Sequence, residues 1–256
     1  MMKKQWITTV VMIAMVLGLV SGTVLGADLF SELGILDLDA NGGINPATGN
    51  PWQAGDTYRF VFSSSEVYPS DITSSDTIAT YNNWIQGLAD ASSLRIGTAE
   101  GVTWNALVST ASVNARDNTS TNPNTDGDGE GIFLLNGTTR VVDDYVEVWN
   151  VGGVNASQNS GIVIDENGDP WNNTDATIWA NASYGGTWTG TKNDGTVGSP
   201  LATDADVTWG GTPWTDYNHW IYRSNADPSA NAGLMYGLSE TLTVWTPPAG
   251  TLVTIR

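Results

Sequence analysis

The stretch Val102–Asn118, VTWNALVSTASVNARDN, predicts the centre of the fold. In its first half apolar and polar residues alternate, and the apolar side consists of Val102, Trp104, Ala106 and Val108. A two-residue period is typical of a strand that packs one face against a core. The polarity then rises, and a long acidic loop follows the polar residues Asn114, Arg116, Asp117 and Asn118. We therefore expect a central strand that carries a polar cluster to one end of a β-rich domain.

The segments on both sides of this stretch predict further strands and two helices. The clearest strand is Asp56–Ser63, and a helix with an apolar stripe at three- and four-residue spacing is expected from Ser70 or Ser75 to about Ser93. Asp143 and Asp144 predict the start of a short helix that ends at Trp149. The other expected strands are Leu33–Leu38, Ile132–Leu135, Gly161–Asp165, His219–Tyr222 and Gly233–Trp245, and the last of these is expected to lie centrally. Turns are expected at Asn136-Gly137, at Lys192–Gly195 and at Gly210-Gly211.

Residues 1–26 have the pattern of a secretory signal peptide. Lys3 and Lys4 precede an apolar stretch of about 14 residues, and Val24 and Gly26 are small enough for a cleavage site. The alternative is an uncleaved anchor helix, for which roughly 20 apolar residues are usual. We therefore expect export, a lead-in at 27–54, one domain at 55–246 and a tail at 247–256, without a membrane span after signal cleavage.

The charge of the chain restricts its partners. It carries 27 acidic and 9 basic residues, and its net charge of −18 becomes −20 when Lys3 and Lys4 are removed with the signal. Such a charge repels nucleic acid and anionic lipid and attracts cations. We therefore expect an extracellular glycan or protein as the partner, and no nucleic acid.

Tryptophan is the expected substitute for disulfides, because the chain has no cysteine. Eleven of its 12 tryptophans lie beyond residue 26. A buried tryptophan removes roughly 150–250 Å² from water, which contributes at most about 4–6 kcal/mol, against about 2–4 kcal/mol for a disulfide. A few buried indoles can therefore replace cross-links.

Four segments occur in an order that resembles a known architecture. They are TWNALVST (103–110), IFLLNGTTRVVDDYVEVWN (132–150), TWTGTKNDG (187–195) and LMYGLSETLTV (234–244). Their succession resembles the endostatin-like branch of the C-type-lectin-like domains, including exported bacterial proteins of the planctomycete type. The resemblance spans roughly Asp56 to Trp245. It implies an α+β fold with a twisted antiparallel sheet, one long and one short helix and long loops, in proteins that bind rather than catalyse.

Two acidic clusters are candidate calcium sites, because calcium takes six to eight oxygen ligands. The first is Asp126, Asp128 and Glu130, which alternate with glycine, and the second is Asp165, Glu166, Asn167 and Asp169. An EF-hand needs an acidic residue at the position of Gly137. The alternative for both clusters is a solvated turn. The calcium-binding tripeptides of sugar-binding C-type lectins are not matched by Asp169-Pro170-Trp171 or Trp214-Thr215-Asp216.

A ligand-binding surface is predicted from three tryptophans in polar segments. Trp171, Trp209 and Trp214 lie among Gly, Asn, Asp and Thr, with Asn172 and Asp216 beside them. Exposed indoles next to such residues can stack on sugars while amides and carboxylates bind hydroxyl groups. The alternative is that these indoles fold inward and fix the loops.

Catalysis has less support in the sequence. The chain has one histidine, His219, and neither a nucleophile elbow nor a zinc motif. A pair of carboxylates for glycoside cleavage remains open among the 27 acids. The sequence thus favours an exported, non-catalytic binding module. The alternatives are a self-associating envelope protein and, third, a glycan-cleaving hydrolase.

Overall fold

The computed structural model describes residues 28–68, 75–149, 159–170, 186–201, 206–211, 219–226 and 233–249. The signal segment and most of the tail lie outside these residues. So do four of the predicted ligand-binding residues, which are Trp171, Asn172, Trp214 and Asp216.

The described residues form an α+β fold, as predicted, and the chain contains no cysteine. The helices are α1 (Ile78–Ala91), α2 (Ala115–Asn118) and α3 (Tyr145–Val148). The strands are, in chain order, β1 (Phe30–Ser31), β2 (Ile44–Asn45), β3 (Asn50–Pro51), β4 (Thr57–Ser63), β5 (Trp104–Ala106), β6 (Ile132–Leu134), β7 (Arg140–Val142), β8 (Gly186–Trp188), β9 (Val207–Gly211), β10 (Ser224–Ala226), β11 (Tyr236–Ser239) and β12 (Leu242–Trp245).

Strand β4 is the centre of a seven-stranded sheet. It pairs antiparallel with β11 and β12 and parallel with β6, so that Val61 lies between Leu238 and Leu134. Beyond these neighbours, β11 pairs with β5, β12 pairs with β1, and β6 pairs with β7. Six of the seven residues of β4 are buried. The sheet is therefore covered on both faces at its centre.

Strand β5 lies at the outer end of this order and not at its centre. Among the described strands it pairs only with β11, with Trp104 opposite Ser239 and Ala106 opposite Gly237. The prediction of a strand is confirmed, but the prediction of a central position is wrong. Alternation reports one buried face and not the number of neighbouring strands. The central position predicted for the last strand is confirmed, because β11 lies between β4 and β5.

The two predicted helices are present, and a third was not predicted. Helix α1 buries Tyr81, Ile85 and Ala89, which follow one another at four-residue spacing. Asp144 caps α3, since its side chain accepts a hydrogen bond from the backbone N–H of Glu147. Helix α2 is a single turn within the predicted polar cluster.

Three expected strands and one expected turn differ in the structure. Residues 33–38 are turns and bends, 161–165 contribute one bridge between Ile164 and Pro170, and 219–221 form a turn. Gly210 and Gly211 belong to β9 instead of a turn. Short apolar runs also suit buried loops that pack on a core, and glycine also occurs in strands where another backbone comes close.

A second sheet of three antiparallel strands, β8, β9 and β10, packs beside the first. Thr187 and Leu234 form a parallel bridge, which connects β8 to the segment that leads into β11. One cluster of buried residues extends from Leu36 to Val244 and includes residues of both sheets.

Buried tryptophans are a large part of this core, as expected for a chain that has 12 tryptophans and no cysteine. The largest fully buried side chains include Trp104, Trp149, Trp188 and Trp220. The indole N–H of Trp104 donates to the Ile96 carbonyl at 2.7 Å, and that of Trp149 donates to Thr121 Oγ1 at 2.9 Å. Trp104 and Trp149 therefore fix the loops that contain Ile96 and Thr121, because each connects such a loop to the core through both packing and a directed hydrogen bond.

Candidate functional site

The first acidic cluster is tied to the centre of the sheet by Glu130. This carboxylate is buried and accepts a hydrogen bond from Arg59 Nε at 2.7 Å and another from Thr241 Oγ1 at 2.7 Å. Arg59 also donates to the carbonyl of Thr119 and lies over the ring of Tyr145, with Cζ 5.2 Å from the ring centre. Glu130 thus joins the acidic loop to β4 and to the connection between β11 and β12.

The other two acids of this cluster have different surroundings. Asp126 is exposed, and its carboxylate accepts the backbone N–H of Asn122 at 2.8 Å. The backbone carbonyl of Asp128 accepts the N–H of Tyr145 at 2.7 Å. Glu130 therefore does not share a solvent-facing loop surface with Asp126, since its carboxylate points inward to Arg59.

The second acidic cluster is a loop that packs on the end of α1. Asp165 Oδ1 accepts the backbone N–H groups of Asn167 and Asp169 at 2.9 and 3.0 Å. Glu166 is buried, and its carboxylate accepts the backbone N–H and the hydroxyl of Ser65. This arrangement fixes the loop with the same oxygens that a calcium ion would use.

Within the described ranges, no group of three or more His, Cys, Asp or Glu residues is placed to hold a metal ion. Calcium binding through Asp126, Asp128, Glu130, Asp165 and Asp169 stays a prediction.

The polar cluster after β5 exists, but its side chains bind one another. The amides of Asn82 and Asn118 form a reciprocal pair with both distances at 2.9 Å. Asn114 donates to Asp117 at 2.7 Å and accepts the backbone N–H of Val197 at 3.0 Å. These contacts connect α1, α2 and the turn after β8. The cluster therefore positions the second sheet and is not itself an open site.

Trp209 is the one predicted ligand-binding tryptophan in the described residues. It lies in β9 opposite Trp188 of β8 and Ser224 of β10, and it is half-buried against the core. Its segment is thus a strand and not the loop that its polar composition suggested. The ligand-binding role predicted for Trp209 stays a prediction.

An open groove lies on the second sheet and on the turn that follows β8. Its volume is about 550 Å³, and it is lined by Lys192, Asn193, Asp194, Gly198, Ser199, Thr208, Tyr222 and Asn225. We call it the Tyr222 groove. The side chain of Tyr222 is 37% exposed and is the one exposed large hydrophobic residue among those that the structure describes.

The walls of the Tyr222 groove are held by hydrogen bonds. The backbone N–H of Lys192 donates to the carbonyl of Thr196 at 2.9 Å, which closes the predicted tight turn. Gly195 has a φ of +79° and closes the turn with an N–H bond to the Lys192 carbonyl. Thr208 Oγ1 accepts the N–H of Ser199 and donates to Asn225 Oδ1 at 3.0 Å. Three separate chain segments are therefore held around one opening.

Among the described lining residues, Asp194 is the one carboxylate, and it is ionised at neutral pH. Partial burial raises its pKa, but two hydrogen bonds from Thr196 and the charges of Arg116 and Lys192 outweigh that effect, so the pKa lies below its ordinary value. One of these bonds joins Thr196 Oγ1 to Asp194 Oδ1 at 2.6 Å. The groove thus offers one fixed negative oxygen, one ammonium, several amide or hydroxyl groups and one aromatic ring.

A second groove of about 700 Å³ lies within the N-terminal lead-in and includes Phe30, Leu36, Leu38 and Trp52 among its lining residues. Its described lining is mostly apolar and also includes Asp28, Asp37 and Asp39. It contains fewer side chains that could orient a polar ligand than the Tyr222 groove does.

The tight turn at 192–195 was predictable from the sequence, but its neighbours in space were not. Tyr222, Thr208 and Asn225 come from strands and a turn that are distant in the chain. The signal in the sequence is the segment Tyr222–Asn225, where an aromatic residue precedes three polar residues. This segment was missed because a strand was expected at His219–Tyr222, which would place the ring of Tyr222 in a sheet.

No family model matches the chain, and no curated protein is similar to it in sequence. Among the residues that the structure describes, no helix is both long and apolar enough to span a bilayer.

Proposed function

We propose that this protein is an exported, non-catalytic binding module that holds a saccharide in the Tyr222 groove. The observation that carries the proposal is that the exposed residue Tyr222 lies in a groove whose other described side chains are polar. An aromatic face stacks on the apolar face of a sugar ring, while neighbouring amides and hydroxyls bind the sugar hydroxyls.

The fixed walls of the groove support a binding role. Thr208 and Asn225 lie on paired strands, and Lys192 to Gly195 form a closed turn. Because these groups are held before a ligand arrives, less conformational entropy is lost on binding. The volume of about 550 Å³ is within the range of small-ligand sites.

The chemistry of the groove favours binding over glycoside cleavage. Most glycoside hydrolases use two carboxyl groups, one of which has a raised pKa so that it can act as the acid. Within the described lining, Asp194 is the one carboxyl group, and its pKa is lowered. His219 lies in a turn, and its backbone carbonyl accepts the N–H of Gly211. His219 is not among the lining residues of the groove.

The export part of the proposal rests on the signal pattern of residues 1–26, and the lectin-like assignment rests on the order of the four segments that resemble that architecture. Saccharides of a cell surface or an extracellular matrix are the ligands to which an exported module has access.

The test is binding to an immobilised panel of neutral and acidic polysaccharides, with three variants. We expect Tyr222→Ala to lower the affinity at least about tenfold, because a central aromatic contact is lost. Tyr222→Phe should bind like the wild type, since it keeps the ring. Ser224→Ala, an exposed neighbour that does not line the groove, is the matched control.

Equal affinity of Tyr222→Ala and wild type would contradict the proposal. Light scattering on the same samples tests the alternative of self-association. A wild-type protein that assembles without any saccharide, and whose assembly is unchanged by Tyr222→Ala, would favour the structural envelope role instead.

A further inference from the structure

We infer that Lys192 selects an acidic saccharide by binding the carboxylate of a uronate unit, an inference that rests on the proposed saccharide-binding function. Lys192 lies in the turn after β8, is exposed and lines the Tyr222 groove. It is the one lysine beyond the predicted signal segment.

Among the described residues, the ammonium of Lys192 forms no hydrogen bond and no ion pair within 4.0 Å, although the chain is rich in carboxylates. Arg59, Arg95 and Arg140 each form an ion pair, with Glu130, Glu100 and Asp143 respectively. Arg116 donates to the carbonyl of Asp194 at 3.1 Å, and Arg223 is not free either. In the part of the chain that the structure describes, Lys192 is thus the one basic side chain without a hydrogen bond or a close ion pair.

Asp194 does not neutralise this ammonium by direct contact. Its Oδ1 atom is occupied by the N–H and the hydroxyl of Thr196, and no ion pair joins Lys192 to Asp194 within 4.0 Å. The two charges still act on each other through space. The three N–H donors of this exposed lining residue are therefore available to a ligand in the groove.

A carboxylate is the group that fits one isolated ammonium beside an aromatic ring. A charge-assisted hydrogen bond between ammonium and carboxylate is about twice as strong as a neutral one. Densely sulfated chains are bound by runs of basic residues, whereas this groove presents a single lysine. A uronate places one carboxylate on a sugar ring, so that Tyr222 can stack on the ring while Lys192 binds the charge.

The experiment compares uronate polymers with their carboxyl-reduced counterparts, which keep the same sugar backbone. The probes are polygalacturonate, alginate and hyaluronate, and a sulfated dextran is added as a further anion. For the wild type we expect at least about tenfold tighter binding to a uronate polymer than to its reduced form. Both affinities are compared at one sodium chloride concentration, because salt screens the contact with Lys192 and also the repulsion between the acidic protein and an anionic polymer.

Three variants assign the preference to the side chain. Lys192→Met should lose the preference and bind both forms alike, whereas Lys192→Arg should keep it. Ser224→Ala, which does not line the groove, should also keep it and is the control. Unfolding temperatures show whether each variant is folded. The substitution leaves the backbone bond of the turn intact, so we expect the unfolding temperature of Lys192→Met to match that of the wild type.

The outcomes separate this inference from the proposed function. If Tyr222→Ala abolishes binding but the wild type binds reduced and uronate forms equally, the inference fails and saccharide binding stands. If Lys192→Met keeps the preference, or sulfated dextran binds more tightly than every uronate polymer, the inference also fails. If the wild type binds neither these polymers in either form nor any member of the neutral and acidic panel, the proposed function fails.

Discussion

At the scale of single residues, the buried pair Arg59–Glu130 carries the largest expected cost of substitution. Arg59→Met leaves the Glu130 carboxylate buried without its cation, which should lower the free energy of unfolding by about 3–5 kcal/mol. Chemical denaturation measures this. Arg140→Gln is the matched control, because its pair with Asp143 is more exposed and should contribute at most about 1 kcal/mol.

The double variant Arg59→Met/Glu130→Leu should recover only part of the loss. It removes the unpaired carboxylate, but the carbonyls of Thr119 and Ser239 then lose the donor that Arg59 supplies. A single variant Arg59→Met as stable as the wild type would show that this pair does not hold the acidic loop to the sheet.

Substitution of Glu147 should raise the free energy of unfolding at pH 7, whereas substitution of Arg59 should lower it. Burial raises the pKa of its carboxyl above the ordinary value of 4.5, and the nearby charges of Asp143 and Asp144 raise it further. A raised folded-state pKa means that protonated Glu147 stabilises the fold at pH below about 4.5, and that this stability is lost as the pH rises through the folded-state pKa.

Glu147→Gln should therefore stabilise the protein at pH 7. Glutamine keeps an oxygen that accepts the N–H of Asp143, now 2.7 Å from Glu147 Oε2, and removes the charge. Because the carboxyl is partly solvated, we expect a gain of only about a few tenths of a kcal/mol at pH 7. The gain should vanish near pH 4. Denaturant unfolding at both pH values measures it, and a loss at pH 7 would contradict it.

At the scale of elements, β9 depends on a glycine at a close backbone approach. A Cβ atom on Gly210 would lie 1.8 Å from the carbonyl oxygen of Trp220, so Gly210→Ala forces the strand or the turn to move. We expect the free energy of unfolding to fall by about 1–3 kcal/mol. Gly87→Ala is the matched control.

Gly87 lies on the exposed side of α1, where an added Cβ atom would have no other atom within 4 Å, so alanine there should stabilise the protein by about 0.5–1 kcal/mol. Equal effects of the two substitutions would contradict the close approach of Trp220 to β9.

The elements with a strong local period were predictable from the sequence. Strand β4 has an alternating pattern, helix α1 has an apolar stripe, and helix α3 has a capping aspartate. The strands β9 and β10 have no such signal, because glycine and polar residues there pair with neighbours that the sequence does not reveal. The position of β5 at the outer end of the sheet was unpredictable for the same reason, since register and order depend on the whole sheet.

The candidate site was predictable only in its kind. The sequence predicted a polar surface with aromatic residues. In the structure Tyr222, Asn225 and Lys192 line one groove, although Lys192 lies about thirty residues before the other two along the chain. Spacing places Glu130 and Glu166 in candidate calcium loops, because it shows which acids are close in sequence. It does not show which of them turn inward, to Arg59 and Ser65.

At the scale of the whole molecule, repulsion among the acidic side chains destabilises the folded state that the buried indoles stabilise. The chain carries 27 acids and 9 basic residues, and three ion pairs join side chains in the described residues. Repulsion among the remaining carboxylates acts on the folded state more than on the expanded unfolded state. The core of tryptophan, tyrosine and phenylalanine has to outweigh it without any disulfide.

Sodium chloride should therefore stabilise the protein that lacks residues 1–26. Raising its concentration shortens the Debye length from about 30 Å at 0.01 M to about 10 Å at 0.1 M and weakens the repulsion between exposed carboxylates. We expect the unfolding temperature to rise by about several degrees over this range, since about 1 kcal/mol shifts a domain of this size by roughly 2–4 °C. Potassium chloride should give the same rise, because screening does not depend on the identity of the cation. A fall in the unfolding temperature would mean that attractive pairs such as Arg59–Glu130, and not the excess of like charges, dominate the electrostatics of the fold.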